Sequence, residues 1–196
     1  MRLLIGFGAS KLEDEDCQRV LGILTGMHFP APKVRTANPL TAQQVIKLRA
    51  KAQELALPNI ALAQAIQFEC KLRQKDVIGE WVPEREPGES DVKDEKRGRK
   101  WLHGLRWENI DKDLVLRHVS SWNGEKIEVD LKGANMVMEE IERHEGPRTG
   151  PLIVDGATGW PYLPHQFRRD WRICARRAGL SDEVRNMDSK PKANKN

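Results

Sequence analysis

Three prolines within Phe29-Pro30-Ala31-Pro32-Lys33-Val34-Arg35-Thr36-Ala37-Asn38-Pro39 constrain this chain more than any other feature. Proline lacks an amide donor and pushes the residue before it out of helical conformation, so no helix can cross the stretch. The chain is predicted to divide there. Residues 1–29 form a helical piece, 30–40 a linker, 41–190 the main domain and 191–196 a polar tail. The total of 196 residues suits about one domain and is long enough to bury a real core.

Apolar spacing fills in the two sides of this break. An acidic cluster, Glu13 to Asp16, precedes Cys17, Val20, Leu21 and Leu24 at helical intervals, which predicts one amphipathic helix over 12–24. Beyond the linker, Thr41 and Gln44 form a capping-box signature, and Val45, Leu48, Ala52 and Leu55 give the following helix an apolar face. Asn59 is the expected cap of a further helix reaching about Cys70, with Leu62, Ala65 and Ile66 inward. The charged, proline-bearing stretch 83–100 reads as an exposed loop.

The period then changes. Leu114, Leu116 and Val119, followed by Ile127, Val129 and Leu131, flank Asn123-Gly124, a strong hairpin signal. Helical spacing returns at Val137, Met138 and Ile141. After an extended segment over 151–156 it returns again at Phe167, Trp171, Cys174 and Ala178, closing at Gly179. Trp81, Trp101, Trp107 and Trp160 are expected to anchor the core or its edges. The predicted fold class is mainly α with a small antiparallel β-sheet.

Composition excludes several classes of function. No stretch approaches the roughly 18 apolar residues of a membrane span, and the opening residues do not resemble a signal peptide, so a cytoplasmic protein without a membrane partner is expected. Cys17, Cys70 and Cys174 lack any C-x-x-C spacing, which argues against a disulfide framework and a structural zinc, and they are expected in the core. His28, His103, His118 and His144 show no ligand spacing, so neither metal nor cofactor is expected. The net charge of +4 is local. From Trp160 onward nine Lys or Arg face four Asp or Glu, whereas the rest of the chain carries 24 against 25. Within that segment Arg169, Arg172 and Arg176 fall on one helical stripe away from Trp171 and Cys174, with only Asp170 interleaved. Such a stripe suits phosphate contacts or a solvated face.

Arg73, in Leu72-Arg73-Gln74-Lys75-Asp76, lies just past an apolar helix, where Asp76 could lock the guanidinium and aim it at an anion. Leu105-Arg106-Trp107-Glu108-Asn109-Ile110-Asp111 then leads into the hairpin. This order of Arg-x-x-Asp, Leu-Arg-Trp-x-Asn-Ile-Asp and a two-stranded hairpin resembles the catalytic domain of the tyrosine recombinase or phage integrase family. The resemblance covers roughly residues 41–190. Residues 1–29 would then be a remnant of the preceding core-binding domain.

The resemblance implies double-stranded DNA as partner, possible self-association on DNA, and strand cleavage through a phosphotyrosyl intermediate with no metal required. Arg73 matches the family's first catalytic arginine, with Asp76 orienting it. The catalytic lysine should precede the hairpin turn, where Trp122 stands instead, and Lys126 lies across the turn. The family's His-x-x-Arg box is matched literally by His165-Gln166-Phe167-Arg168. Family order instead favours Met187-Asp188-Ser189-Lys190, with Lys190 in place of the second arginine. Tyr162, the sole tyrosine, precedes the basic helix and is expected to be structural. The nucleophile is therefore expected to be absent and the domain truncated at its C-terminal side. The rival readings are a non-catalytic DNA-binding regulator and a helical protein-interaction module.

Overall fold

A computed structural model describes residues 2–27 and 38–189. The chain divides into two compact units, Met1–Thr36 and Ala37–Asn196. Most of the expected linker, Lys190 and the expected tail lie outside the described residues, as does His28. The first unit holds two helices where the sequence predicts one, α1 (Arg2–Lys11) and α2 (Glu15–Gly26). Glu13 turns the chain with a φ of +51°, and the Asp14 carboxylate accepts the Cys17 amide at 2.7 Å to cap α2. That hydrogen bond holds the Asp14 carboxyl below its ordinary pKa. Cys17 is half-buried, whereas Cys70 and Cys174 are fully buried in the second unit.

The second unit is built around a helix that is apolar on nearly every side. Helix α3 (Ala42–Glu54) opens with the expected capping box, Thr41 N–H donating to Gln44 Oε1 at 2.9 Å and Gln44 N–H to Thr41 Oγ1 at 3.3 Å. It buries Val45, Leu48 and Ala52, while Leu55 is left exposed at the helix end. Helix α4 (Pro58–Glu69) begins at Pro58 rather than at an Asn59 cap, because a proline at the first helical position gives up only an amide that would be unpaired anyway. Every residue from Ile60 to Gln67 is buried, as befits a helix with neighbours all round. Helices α3, α5 (Gln74–Ile78), α6 (Asn135–Glu142) and α7 (Pro164–Arg177) all pack on it.

Stretch 83–100 departs from its expectation. It supplies half the residues of a three-stranded antiparallel sheet in the order β1 (Glu80–Pro83), β3 (Arg99–Leu102), β2 (Lys93–Asp94), with Trp81 opposite Trp101 and Asp94 opposite Arg99. Trp101 anchors it, buried and donating its indole N–H to Ile78 O at 2.9 Å. Gly104 makes room for this ring: a Cβ there would lie 2.1 Å from the Trp101 side chain and 2.7 Å from the Gly79 amide nitrogen. The second sheet is the expected hairpin of β4 (Val115–Val119) and β5 (Lys126–Asp130). Its connection is longer than a two-residue turn, closed by Ser120 N–H to Glu125 O at 2.8 Å and Gly124 N–H to Ser120 O at 3.0 Å.

Helix α7 starts earlier than its apolar spacing predicts, at Pro164, and ends as expected. Gly179 takes a φ of +76°, its amide bonds Arg176 O at 3.0 Å, and the Leu180 amide bonds Ala175 O at 2.9 Å. This is a Schellman closure, which a residue with a Cβ would strain. No helix among the described residues is long and apolar enough to cross a membrane.

Candidate functional site

Arg73 is the N-terminal flanking residue of α5, where the chain leaves α4 through Lys71 with a φ of +57°. Its side chain is exposed, and its guanidinium lies 4.7 Å from the centre of the Trp122 ring at the hairpin tip. Among the described residues it has no carboxylate partner. Asp76 does not lock it. The Asp76 side chain is 1% exposed and accepts the Ser121 amide at 2.8 Å, while His118 Nε2 lies 3.5 Å from the same oxygen. Burial works to raise the Asp76 carboxyl. The His118 contact and the Ser121 hydrogen bonds outweigh it and hold the group well below the usual carboxylate range. Asp76 thus fastens hairpin to helix, and Arg73 is carried along with the ring it stacks on.

His118 is a residue that sequence reasoning passed over. Its ring is almost fully enclosed, yet Nε2 has no hydrogen bond of ordinary geometry. Nothing in its neighbourhood of the sequence announces this role, because its partner comes from a different element. The start of the hairpin is equally fixed: Asp111 Oδ1 accepts the Asp113 amide at 2.9 Å and the Val115 amide at 3.0 Å. Lys126 opens β5 opposite Val119, exposed and without a partner among the described residues.

The comparisons fit this architecture. The chain superposes on lambda integrase bound to DNA with a TM-score of 0.55 at 16% identity, covering 96% of this chain and 61% of that one. A lambda integrase dimer bound to a COC′ core site gives 0.56 at 18% identity over 89% and 58%, and the lambda integrase catalytic core 0.51 at 16% over 78% of each chain. No protein-family model and no curated protein matches the sequence.

The fold is tyrosine-recombinase-like.

On this integrase-like fold the other expected site residues are spread out. His165 and Arg168 are exposed on the first turns of α7, and no contact among the described residues ties them to Arg73 or the hairpin. In the alternative register, Met187 is 68% exposed, whereas Asp188 and Ser189 are buried in a 3₁₀ turn over Asn186–Ser189. Ser189 Oγ donates to Gln64 Oε1 at 3.0 Å, and the same oxygen accepts the Trp171 indole N–H at 2.6 Å. Asn186 and Gln67 exchange paired amide hydrogen bonds at 2.9 and 3.2 Å. The segment is seated on α4 by buried polar contacts.

The α7 stripe is not the unencumbered row that spacing suggests. Asp182, from the turn after the helix, accepts Arg176 Nε at 2.8 Å and lies 3.6 Å from Arg172. Arg172 also donates to the carbonyls of Ser181 and Val184. Arg169 bonds Asp170 at 2.9 Å yet stays largely exposed. Tyr162 is 1% exposed, edge-on to Phe167 at 5.5 Å between ring centres, and burial raises its hydroxyl pKa further from ionisation.

Proposed function

We propose that this chain is a DNA-binding protein of recombination or integration that grips duplex DNA in the cytoplasm without forming a covalent bond to it. The observation that carries the reading is Arg73, exposed, without an acidic partner among the described residues and set over the clamped hairpin of an integrase-like fold. A guanidinium so placed offers a phosphate its planar fork with little conformational loss. Lys126, Arg168 and Arg169 are the further phosphate contacts, and Asp76 is a positioning residue.

Covalent cleavage needs a hydroxyl that can reach the phosphorus and lose its proton. The only tyrosine is buried, with its ionisation disfavoured. No cofactor enters this reading. Two copies on neighbouring half-sites are the expected arrangement, given the lambda integrase dimer on its core site. A protein-interaction module is less well supported, since Arg172 and Arg176, which an acidic partner would have to engage, already engage Asp182.

Gel-shift titration of labelled duplex at several salt concentrations tests the binding, and denaturing electrophoresis after incubation with nicked suicide duplexes tests the chemistry. Salt-sensitive shifts without a covalent adduct are expected. Absence of any duplex binding would remove the DNA reading, and an adduct abolished by Tyr162→Phe would remove the non-cleaving one.

A further inference from the structure

The inserted sheet β1–β3–β2 builds a second surface that the integrase-like site does not use. Between it and the first turn of α7 lies an open groove of 640 Å³, within the range of about 300–1,000 Å³ typical of ligand-holding clefts. Its floor is aromatic. Trp81 and Trp160 meet at 5.6 Å between ring centres with planes tilted by 42°. The Trp81 indole donates to Pro161 O at 3.1 Å, and the Arg99 guanidinium covers that ring at 4.7 Å. Trp81 is thereby fixed in place and spent as a stacking surface. Trp160 is not: expected to anchor the core or its edges, it is 45% exposed and leaves ring surface open to the groove.

The rim is basic. Lys93, Lys96, Arg97 and Arg99 line the groove against Asp94 and Glu95. Arg97 and Arg99 both pair with the one Asp94 carboxylate, at 3.1 and 2.9 Å, so the pairing leaves net positive charge there. Lys93 pairs with Glu84 at a long 3.5 Å, and Lys96 is exposed with no partner among the described residues. Leu163 and Gln166 bring the positive end of the α7 dipole to the opposite wall.

We propose that this groove binds an unpaired stretch of nucleic acid, one base stacking on Trp160 while its phosphates follow Lys96, Arg97 and Lys93. A pre-positioned indole with an open face beside a row of cations is the chemistry by which single strands are held without sequence preference. An acidic peptide would use the cations and leave the indole idle. A duplex, with its bases already stacked, would do the same. The choice of nucleic acid as ligand rests on the DNA-binding reading above, but the site shares no residue with Arg73 or the hairpin.

The test is fluorescence anisotropy with labelled oligo(dT), a blunt duplex and poly-glutamate as separate probes on the full chain. Oligo(dT) binding is expected to weaken roughly five- to hundredfold in Trp160→Ala, since a stacked base contributes on the order of 1–3 kcal/mol. Blunt-duplex binding should be unchanged. Lys96→Glu, at an exposed position, should weaken oligo(dT) severalfold and guards against misfolding of the tryptophan variant, which is checked by its melting curve. Oligo(dT) binding unaffected by both substitutions overturns the proposal, as does poly-glutamate binding that depends on Trp160 to the same degree. Loss of duplex binding in the parent with oligo(dT) binding intact would overturn the duplex reading and leave this one standing.

Discussion

Arg73, at the N-terminal flank of α5, and Arg172, within α7, both lie over a tryptophan ring, at 4.7 Å from Trp122 and 5.2 Å from Trp171. Their surroundings separate them. Arg172 is 22% exposed in its side chain and spends its donors on the carbonyls of Ser181 and Val184, with Asp182 nearby, so it ties the segment after α7 back onto that helix. Arg73 is exposed and, among the described residues, spends none on an acid or a carbonyl. Its neighbour Asp76 does the tying instead, by holding the hairpin. The difference teaches that arginines of a basic helix can brace the structure, while an arginine outside any charge run keeps its donors unspent and is the one proposed to meet phosphate.

The largest effect that could break this comparison lies in Asp76. Asp76→Ala removes the acceptor of the part-buried Ser121 amide and the partner of His118. It should lower unfolding stability by about 3 kcal/mol, as expected for removing one side of a buried, charge-assisted contact. Arg73→Ala should leave the denaturation midpoint where it was. Urea titration of the two variants checks both. An Asp76→Ala protein as stable as the parent would mean that the hairpin does not depend on its clamp.

A smaller loss is expected for Arg172→Ala, about 1.5–2 kcal/mol, because charged donors to backbone carbonyls are stronger than neutral ones but this side chain is partly wetted. Its DNA affinity, measured well below the melting temperature, should match that of the parent. Equal stability with weakened binding would reverse the roles assigned to Arg172 and Arg73.

Acid should reveal the same clamp. The folded Asp76 carboxyl titrates below its unfolded value of about 3.9, so its contribution is fully present above that pH and disappears as pH falls toward the folded value. Urea midpoints measured from about pH 6 to 2.5 should fall below pH 4 in the parent. In Asp76→Asn the fall should be shallower, starting from a lower plateau. Superimposable profiles would show that some other carboxylate governs the acid limb.

What the sequence made legible was local. The Thr41–Gln44 box, the strand alternation around Asn123-Gly124 and the Gly179 closure each depend on residues a few positions apart, and each formed. The inserted sheet was hidden because its strands are four, four and two residues long, too short for alternation to register, and rich in Lys, Asp and Arg. Its stability comes from Trp101 seated beside two glycines, a packing fact without a periodic signature. The motif around Arg73 marked it as the candidate on which the proposed function rests. Asp76 was assigned to the wrong partner because its true one, Ser121, is 45 residues away. Likewise Asp182 engages Arg172 and Arg176, two of the three stripe arginines, a pairing that does not show while α7 is read by itself.

The finest test of the comparison resolves the arginines one at a time by salt dependence. Each phosphate neutralised on duplex DNA contributes about 0.9 to the log-log slope of affinity against salt, or roughly a threefold loss between 50 and 200 mM. Arg73→Ala and Arg168→Ala should each reduce the slope by about 1 and weaken specific and random sequences alike, because phosphate contacts position without reading bases. Arg172→Ala and Arg176→Ala should leave it unchanged, their guanidiniums being engaged at Asp182 and the backbone. Arg169 pairs only with its chain neighbour Asp170, whereas Arg172 and Arg176 are held to the segment after the helix, so changing all three stripe residues should cost one phosphate rather than three. A slope reduced by 3 in that triple variant would mean that DNA outcompetes Asp182 for the helix. The brace and the ligand-facing arginine would then be one surface, and the contrast drawn between them would fail.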